Sequence, residues 1–166
     1  RISTLLARLA GYTPAETETI GQAALFHDIG KTAIPTAILN KPGALTQEEY
    51  AVVKTHTAIG QERLSQAVQT LAAAIIVAQQ HHERLDGSGY LRMEDKDIHP
   101  YAKLIAVADV FDALVSRRSY KEPWGIDRTG AYLQDLAGVQ FECRIVALLL
   151  SNMDQVLALY GPEKNV

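Results

Sequence analysis

Apolar positions recur along this chain at helical spacing, and helix start signals stand beside them. Thr13-Pro14-Ala15-Glu16 is a capping box with proline at the first helical position, and it launches a helix through Ile20, Ala23, Ala24 and Phe26. Gly30 is placed to stop that helix. Asn40-Lys41-Pro42-Gly43 reads as a turn, and Thr46-Gln47-Glu48-Glu49 repeats the capping logic to open a helix carrying His56 some turns later. A further helix is predicted over residues 68–82. Residues 84–99, with Asp86-Gly87-Ser88-Gly89-Tyr90, read as a loop. Pro100 opens a long helix through Ile105, Ala108, Asp109, Asp112 and Val115, and two more follow around 127–136 and 142–160. No sustained alternation or paired hairpin turn marks a strand, and no repeat or low-complexity tract appears. The pattern predicts an all-α fold in a single helical domain.

Four of the five histidines stand at His27, His56, His81 and His82, and Asp28 follows the first at once. A single histidine in a mostly apolar helix is ordinarily a hydrogen-bonded core or surface residue. Two adjacent ones after the apolar run from Leu71 to Ala78 have little structural reason to be there. Histidine and aspartate together hold divalent metals, so the layout reads as a metal-dependent hydrolase. His81 and His82 point about a hundred degrees apart on a regular helix, so both reach one ion only where the helix end loosens. Glu83 and the loop after it supply such an end. Asp109 lies in a helix apolar on nearly all sides, where burying a lone carboxylate costs several kcal/mol unless it meets a cation. Asp112, three residues on, shares a similar face; solvation or capping of a neighbouring helix is the plainer role for such aspartates.

Composition narrows the setting. The 166 residues suit one domain, and 48% hydrophobic with 21% charged residues is ordinary for a globular chain. A formal net charge of -3 argues against a DNA binder, though not against a local basic pocket for one small anion. Cys143 is the single cysteine, which excludes an intramolecular disulfide or a thiolate zinc site and fits a reducing cytoplasm. No apolar run reaches membrane-spanning length, and no signal peptide is visible. The sequence begins at Arg1 without an initiator methionine, as a piece of a longer protein would.

His27-Asp28-Ile29-Gly30-Lys31, Lys54-Thr55-His56, His81-His82-Glu83 with Asp86-Gly87-Ser88-Gly89-Tyr90, and Ala108-Asp109-Val110-Phe111-Asp112-Ala113-Leu114 together resemble the ordered motifs of the HD-GYP family, within the HD phosphohydrolase superfamily. The resemblance runs from about Leu9 to Phe141. It implies an all-α HD-type domain with a metal centre in the helix bundle, which hydrolyses cyclic di-GMP to pGpG, GMP or both in bacterial second-messenger signalling. By the resemblance, His27, Asp28 and Asp109 serve one metal, and Asp28, His56, His81 and His82 serve the other, with Asp28 as the bridge. Two divalent ions per chain are expected. Mixed imidazole and carboxylate donors suit iron or manganese and leave nickel, cobalt and zinc open. Phosphodiester hydrolysis needs an activated water and cations that neutralise the phosphate oxygens, which is what such a centre offers. Asp28 and Lys31 are the expected catalytic residues, Lys31 contacting the scissile phosphate or assisting the leaving oxygen. In Ser116-Arg117-Arg118-Ser119-Tyr120-Lys121, the resemblance gives Arg118 and Lys121 the substrate phosphate and guanine groups; without it the segment reads equally as a solvated helix end.

The chain departs from the family pattern at Leu91, where a proline is usual after Gly89-Tyr90, at Ser119, and in Phe141-Glu142-Cys143. None of these removes a metal donor. The family's first-helix histidine would fall a few residues before Arg1, so one ligand of the first metal, any third metal and an upstream sensory or receiver domain belong to sequence preceding this chain. A homodimer is compatible with the reading. The alternatives are a catalytically degenerate module that binds nucleotide or a partner domain, and a hydrolase of another cyclic dinucleotide. His99 reads as a surface residue.

Overall fold

A computed structural model describes residues 1–67, 72–117 and 122–160. Among them the chain is helical with no strand: α1 (Ile2–Leu9), α2 (Pro14–Phe26), a 3-10 turn (Ile29–Ala33), α3 (Thr36–Leu39), α4 (Gln47–Lys54), α5 (His56–Ala67), α6 (Ala72–Gln80), α7 (Pro100–Val115), α8 (Ile126–Asp135), α9 (Cys143–Ser151) and α10 (Met153–Ala158). The all-α expectation is met. None of these helices is long and apolar enough to cross a membrane.

The bundle is organised around α7. Leu104, Ile105, Ala106, Val107, Ala108, Phe111 and Val115 are buried on it, so the helix is enclosed on nearly all sides. It packs against α1, α2, α6, α8 and α9. Phe111 is fully buried, and truncating such a side chain to alanine costs about 3–5 kcal/mol. A carboxylate on this helix is thereby carried into the interior, and Asp109 is the one that faces the histidines.

Both capping boxes form as the sequence predicts: Thr13 Oγ1 accepts from the Glu16 amide while the Glu16 carboxylate accepts from Thr13 N at 2.8 Å, and Thr46 and Glu49 repeat the pattern. Two helices expected to run on are broken. The helix opened at Thr46 ends at Lys54, because the Thr55 hydroxyl donates to Val52 O at 2.7 Å and takes over a carbonyl that a continuing helix would use. His56 therefore begins α5 instead of riding in mid-helix. The C-terminal segment divides at Asn152, whose side-chain amide donates to Leu148 O at 2.8 Å.

Gly30 does not act as a left-handed stop. Helix α2 ends at His27, still right-handed, and the chain tightens into the 3-10 turn through Lys31 N donating to Asp28 O at 2.9 Å. Glycine is needed for proximity: a Cβ at Gly30 would lie 1.9 Å from His56 O and 2.7 Å from Gly60 N. His99 is half-buried and caps α7, its Nδ1 accepting from Tyr101 N at 3.1 Å, so it is not merely a surface residue.

Candidate metal centre

Four chain segments deliver donors to one point: the end of α2 with the turn after it, the start of α5, the end of α6, and the middle of α7. One ligand atom each from Asp28, His56, His81 and His82 lies within 4.8 Å of all the others. His27 and Asp109 stand beside that group. Helix α6 stops at Gln80, so His81 and His82 fall in the turn beyond it, where the chain is free to bring both rings to the same side.

The orientation of three imidazoles is fixed by backbone. His27 Nδ1 lies 2.7 Å from Ala24 O, His56 Nδ1 2.7 Å from Val53 O, and His81 Nδ1 3.0 Å from Val77 O. A carbonyl only accepts, so each Nδ1 carries a hydrogen and each ring turns its Nε2 to the centre, where it offers a lone pair once it is free of a proton. There the lone pairs meet other lone pairs: His56 Nε2 and His81 Nε2 are 3.4 Å apart, and Asp28 Oδ1 is 3.3 and 3.6 Å from them. Asp28 Oδ2 faces elsewhere, 3.4 Å from His27 Nε2, which in turn lies 3.5 Å from Asp109 Oδ1. Buried His27 Nε2 and Asp28 Oδ1 have no hydrogen-bond partner among the described residues. Unpartnered buried acceptors converging on one point fit a divalent cation, and a metal-bound histidine characteristically donates its other ring nitrogen to a carbonyl in this way.

The electrostatics divide along the same line. Burial is the largest influence on His81 and His82 and pushes both below the ordinary imidazole range, His82 to about 3, keeping them neutral as metal ligands must be. Burial also works to lower His27, but the carboxylates of Asp109 and Asp28 outweigh it and raise the group to about 10. A proton there answers the negative charge that a metal would otherwise answer. Asp28 and Asp109, which burial alone would raise, are both held below the usual carboxylate range, Asp28 by His27, His56 and His81 and Asp109 mainly by His27.

Lys31 Nζ lies 2.5 Å from Asp28 Oδ2, so its charge is directed at the aspartate at the rim of the site. Asp112 is outside the cluster: its Oδ1 accepts from the Tyr160 hydroxyl at 2.7 Å. Arg118 and Lys121 lie outside the described residues. Sequence reasoning saw in Glu83 only the loosening of a helix end, and it did not mark Tyr50. The buried Glu83 carboxylate accepts from Leu91 N at 2.7 Å and Met93 N at 2.9 Å, folding the glycine-rich loop back on the histidine pair. A Cβ at Gly89 would come within 2.6 Å of Glu83 Cα, so only glycine allows that closure. The loop lays Tyr90 over His82, ring centroids 4.6 Å apart. Tyr50 reaches the same corner from α4, edge-on to Tyr90 at 6.0 Å. The acid directly following His81-His82 was the available signal for the first; nothing local marks Tyr50.

A family model described as HD domain matches residues 1–145. The chain is 42% identical to the cyclic di-GMP phosphodiesterase response regulator RpfG of Xanthomonas campestris, over 96% of this chain and 43% of that protein. It is 41% identical to the 3'3'-cGAMP-specific phosphodiesterase 2 of Vibrio cholerae, over 93% of this chain and 30% of the relative. With a cyclic di-GMP phosphodiesterase of Thermotoga maritima the identity is 38%, over 99% and 46%. It thus spans less than half the length of each of these curated relatives. Among solved structures, Bd1817, an HDG"Y"P protein from Bdellovibrio bacteriovorus, superposes with a TM-score of 0.76 at 22% identity, over 92% of this chain and 49% of that one, a likeness of fold. The chain belongs to the HD domain family and, within it, to the HD-GYP proteins.

Proposed function

We propose that this chain is the catalytic module of a cyclic di-GMP phosphodiesterase, opening the cyclic dinucleotide to pGpG and carrying it on to GMP where the second cut follows. The observation that carries the reading is Asp28, whose two oxygens face two separate sets of donors with unpartnered buried lone pairs. His56, His81, His82 and Asp28 Oδ1 would hold one divalent metal, and His27, Asp109 and Asp28 Oδ2 another, iron or manganese suiting this donor set. Such ions supply Lewis acidity, lowering the pKa of water and neutralising phosphoryl oxygens.

The remaining work falls to the chain's own side chains. Asp28 ties the two donor sets at a fixed separation. Lys31, held at the rim by Asp28, would hydrogen-bond a phosphoryl oxygen of the substrate or give a proton to the departing ribose oxygen. Tyr90 covers His82 and narrows the access of bulk water to that side. Arg118 and Lys121 are assigned to the distal phosphate and guanine of the substrate on the family resemblance. The relatives' names give the substrate class, cyclic dinucleotides, and the similarity to a 3'3'-cGAMP-specific enzyme keeps the mixed dinucleotide as a second reading. A binding module without turnover is disfavoured because every donor expected within this chain is present. We read the chain as a cytoplasmic output domain controlled by an upstream receiver or sensory domain, and the name of one relative, a response regulator, supports the control by such a domain.

The deciding experiment measures metal content of the full-length protein together with turnover of cyclic di-GMP, 3'3'-cGAMP and bis-p-nitrophenyl phosphate. Cyclic di-GMP cleavage that is lost on chelation and restored by iron or manganese is expected. Metal-loaded protein that cleaves no cyclic dinucleotide overturns the reading. Replacing Arg118 and Lys121 together by alanine should lower kcat/KM on cyclic di-GMP by roughly 100-fold more than on the small diester, because remote binding energy aligns the scissile bond. Equal losses on both substrates would return the basic segment to solvent.

A further inference from the structure

We propose that Tyr50 and Lys54 on α4 form a subsite beside the candidate metal centre, in which a purine base stacks on Tyr50 and a phosphate of the same nucleotide pairs with Lys54. The proposal rests on the reading of the substrate as a cyclic dinucleotide.

Helix α4 buries none of its residues, yet it carries a large aromatic side chain, Tyr50, that is 45% exposed. Tyr50 and Lys54 are four residues apart and share one face. The Lys54 ammonium sits between two rings, 5.4 Å from the centroid of Tyr50 and 5.9 Å from that of Tyr90. Neighbouring lysines are spoken for, Lys31 by Asp28 and Lys41 by Glu49 at 2.6 Å, whereas Lys54 makes no ion pair among the described residues. A solvated pair on an exposed helix would account for Tyr50 and Lys54 alone. It does not account for Tyr90, which joins them to the donors: His82 and Tyr90 centroids are 4.6 Å apart, Tyr90 and Tyr50 6.0 Å, with the last two rings nearly perpendicular at 89°. A row of rings therefore leads from the histidine pair outward and ends in the half-exposed ring of Tyr50, which has a cation over one face and leaves the other for a base.

The substrate's chemistry matches that layout. A cyclic dinucleotide carries two bases and two phosphodiesters on one macrocycle, so when one phosphate occupies the donor cluster a base and the other phosphate must rest nearby. Stacking on an aromatic ring accepts any base. Tyr50 thus contributes affinity to cyclic di-GMP and 3'3'-cGAMP alike and does not choose between them.

The test compares Tyr50→Ala, Tyr50→Phe and Lys54→Gln in the metal-loaded full-length protein, through kcat and KM on cyclic di-GMP and on bis-p-nitrophenyl phosphate and through calorimetric binding of pGpG. Tyr50→Ala and Lys54→Gln should each weaken pGpG binding about tenfold and raise KM for the cyclic dinucleotide by a similar factor, with a smaller change in kcat and on the small diester. Tyr50→Phe keeps the stacking face and should stay within about twofold of the unmodified protein. If Tyr50→Phe were as impaired as Tyr50→Ala, Tyr50 would be acting through its hydroxyl, and the subsite would be wrong. Unchanged pGpG binding in Tyr50→Ala and Lys54→Gln would also overturn it. An unmodified protein that cleaves no cyclic dinucleotide instead removes the functional reading beneath it.

Discussion

The two oxygens of Asp28 look into different environments. On the Oδ1 side stand His56 and His81, both essentially without solvent exposure, with His82 beside them. Burial keeps His81 and His82 neutral. On the Oδ2 side stand His27, Asp109 and Lys31, where charge is paired with charge and side-chain exposure rises to 34% at Lys31. The first side is built to offer neutral lone pairs, which is what a resident ion requires. The second already balances itself with a proton on His27 and the ammonium of Lys31, so a cation arriving there must displace something. If both sides hold metal as proposed, strong retention is expected on the first side and exchange on the second.

The largest effect should come from cutting the link between them. Asp28→Asn keeps the size of the side chain but loses its charge, and turnover should fall below detection with metal lost from both sides, as read by elemental analysis. Asp112→Asn, on the same face of α7 as Asp109 but bonded to Tyr160, should retain its metal and lose about 1 kcal/mol of stability through the weakened hydrogen bond. Equal metal loss in the two variants would mean that the wrong aspartate has been assigned. A narrower cut separates the sides. His81→Ala combined with His82→Ala should remove about one metal per chain while far-ultraviolet circular dichroism stays near that of the parent, because both residues lie in the turn after α6. Full retention in that double variant would end the claim for the Oδ1 side.

The smallest effect is a pH signature of the Oδ2 side. His27 is raised in the folded, metal-free protein from 6.5 to about 10, so the stability from its protonation is fully present below pH 6.5 and is lost as pH rises toward 10. Thermal unfolding in chelator should show Tm declining across that interval, and His27→Gln should remove the decline attributable to this group. A parent protein and a His27→Gln variant with the same slope would show that His27 carries no such proton. His82, lowered by burial to about 3, acts with the opposite sign: its contribution is present above 6.5 and is lost as pH falls toward 3.

Much of this arrangement is legible in the sequence where the cause is local. Capping boxes are written in four consecutive residues, and Thr13 and Thr46 both form them. The adjacency of His81 and His82 and the isolation of Asp109 in an apolar helix pointed to metal donors, and the fold sets His81 and His82 in one group with Asp28 and His56, with Asp109 beside His27. The helix break at Thr55 was not legible, because it turns on whether a threonine hydroxyl competes for Val52 O, and the same residue is accepted inside many helices. Tyr50 was invisible for a different reason. Its partner, Tyr90, is forty positions away, and only the Glu83 clamp decides where Tyr90 sits. Gly30 was seen, but for the wrong property: its backbone is right-handed, and what matters is the empty space where a side chain would be.

That empty space acts as a ruler. With no side chain between Gly30 and the backbone at His56 and Gly60, the turn bearing Asp28 and the helix start bearing His56 meet main chain to main chain, and their separation is set by van der Waals contact of backbone atoms instead of by rotamers. Repacking elsewhere in the bundle can be absorbed by side-chain motion; this contact has none to give. Gly30→Ala would accordingly register first as altered selectivity among metals of different radius, a spectroscopic change at the centre that precedes any loss of helix.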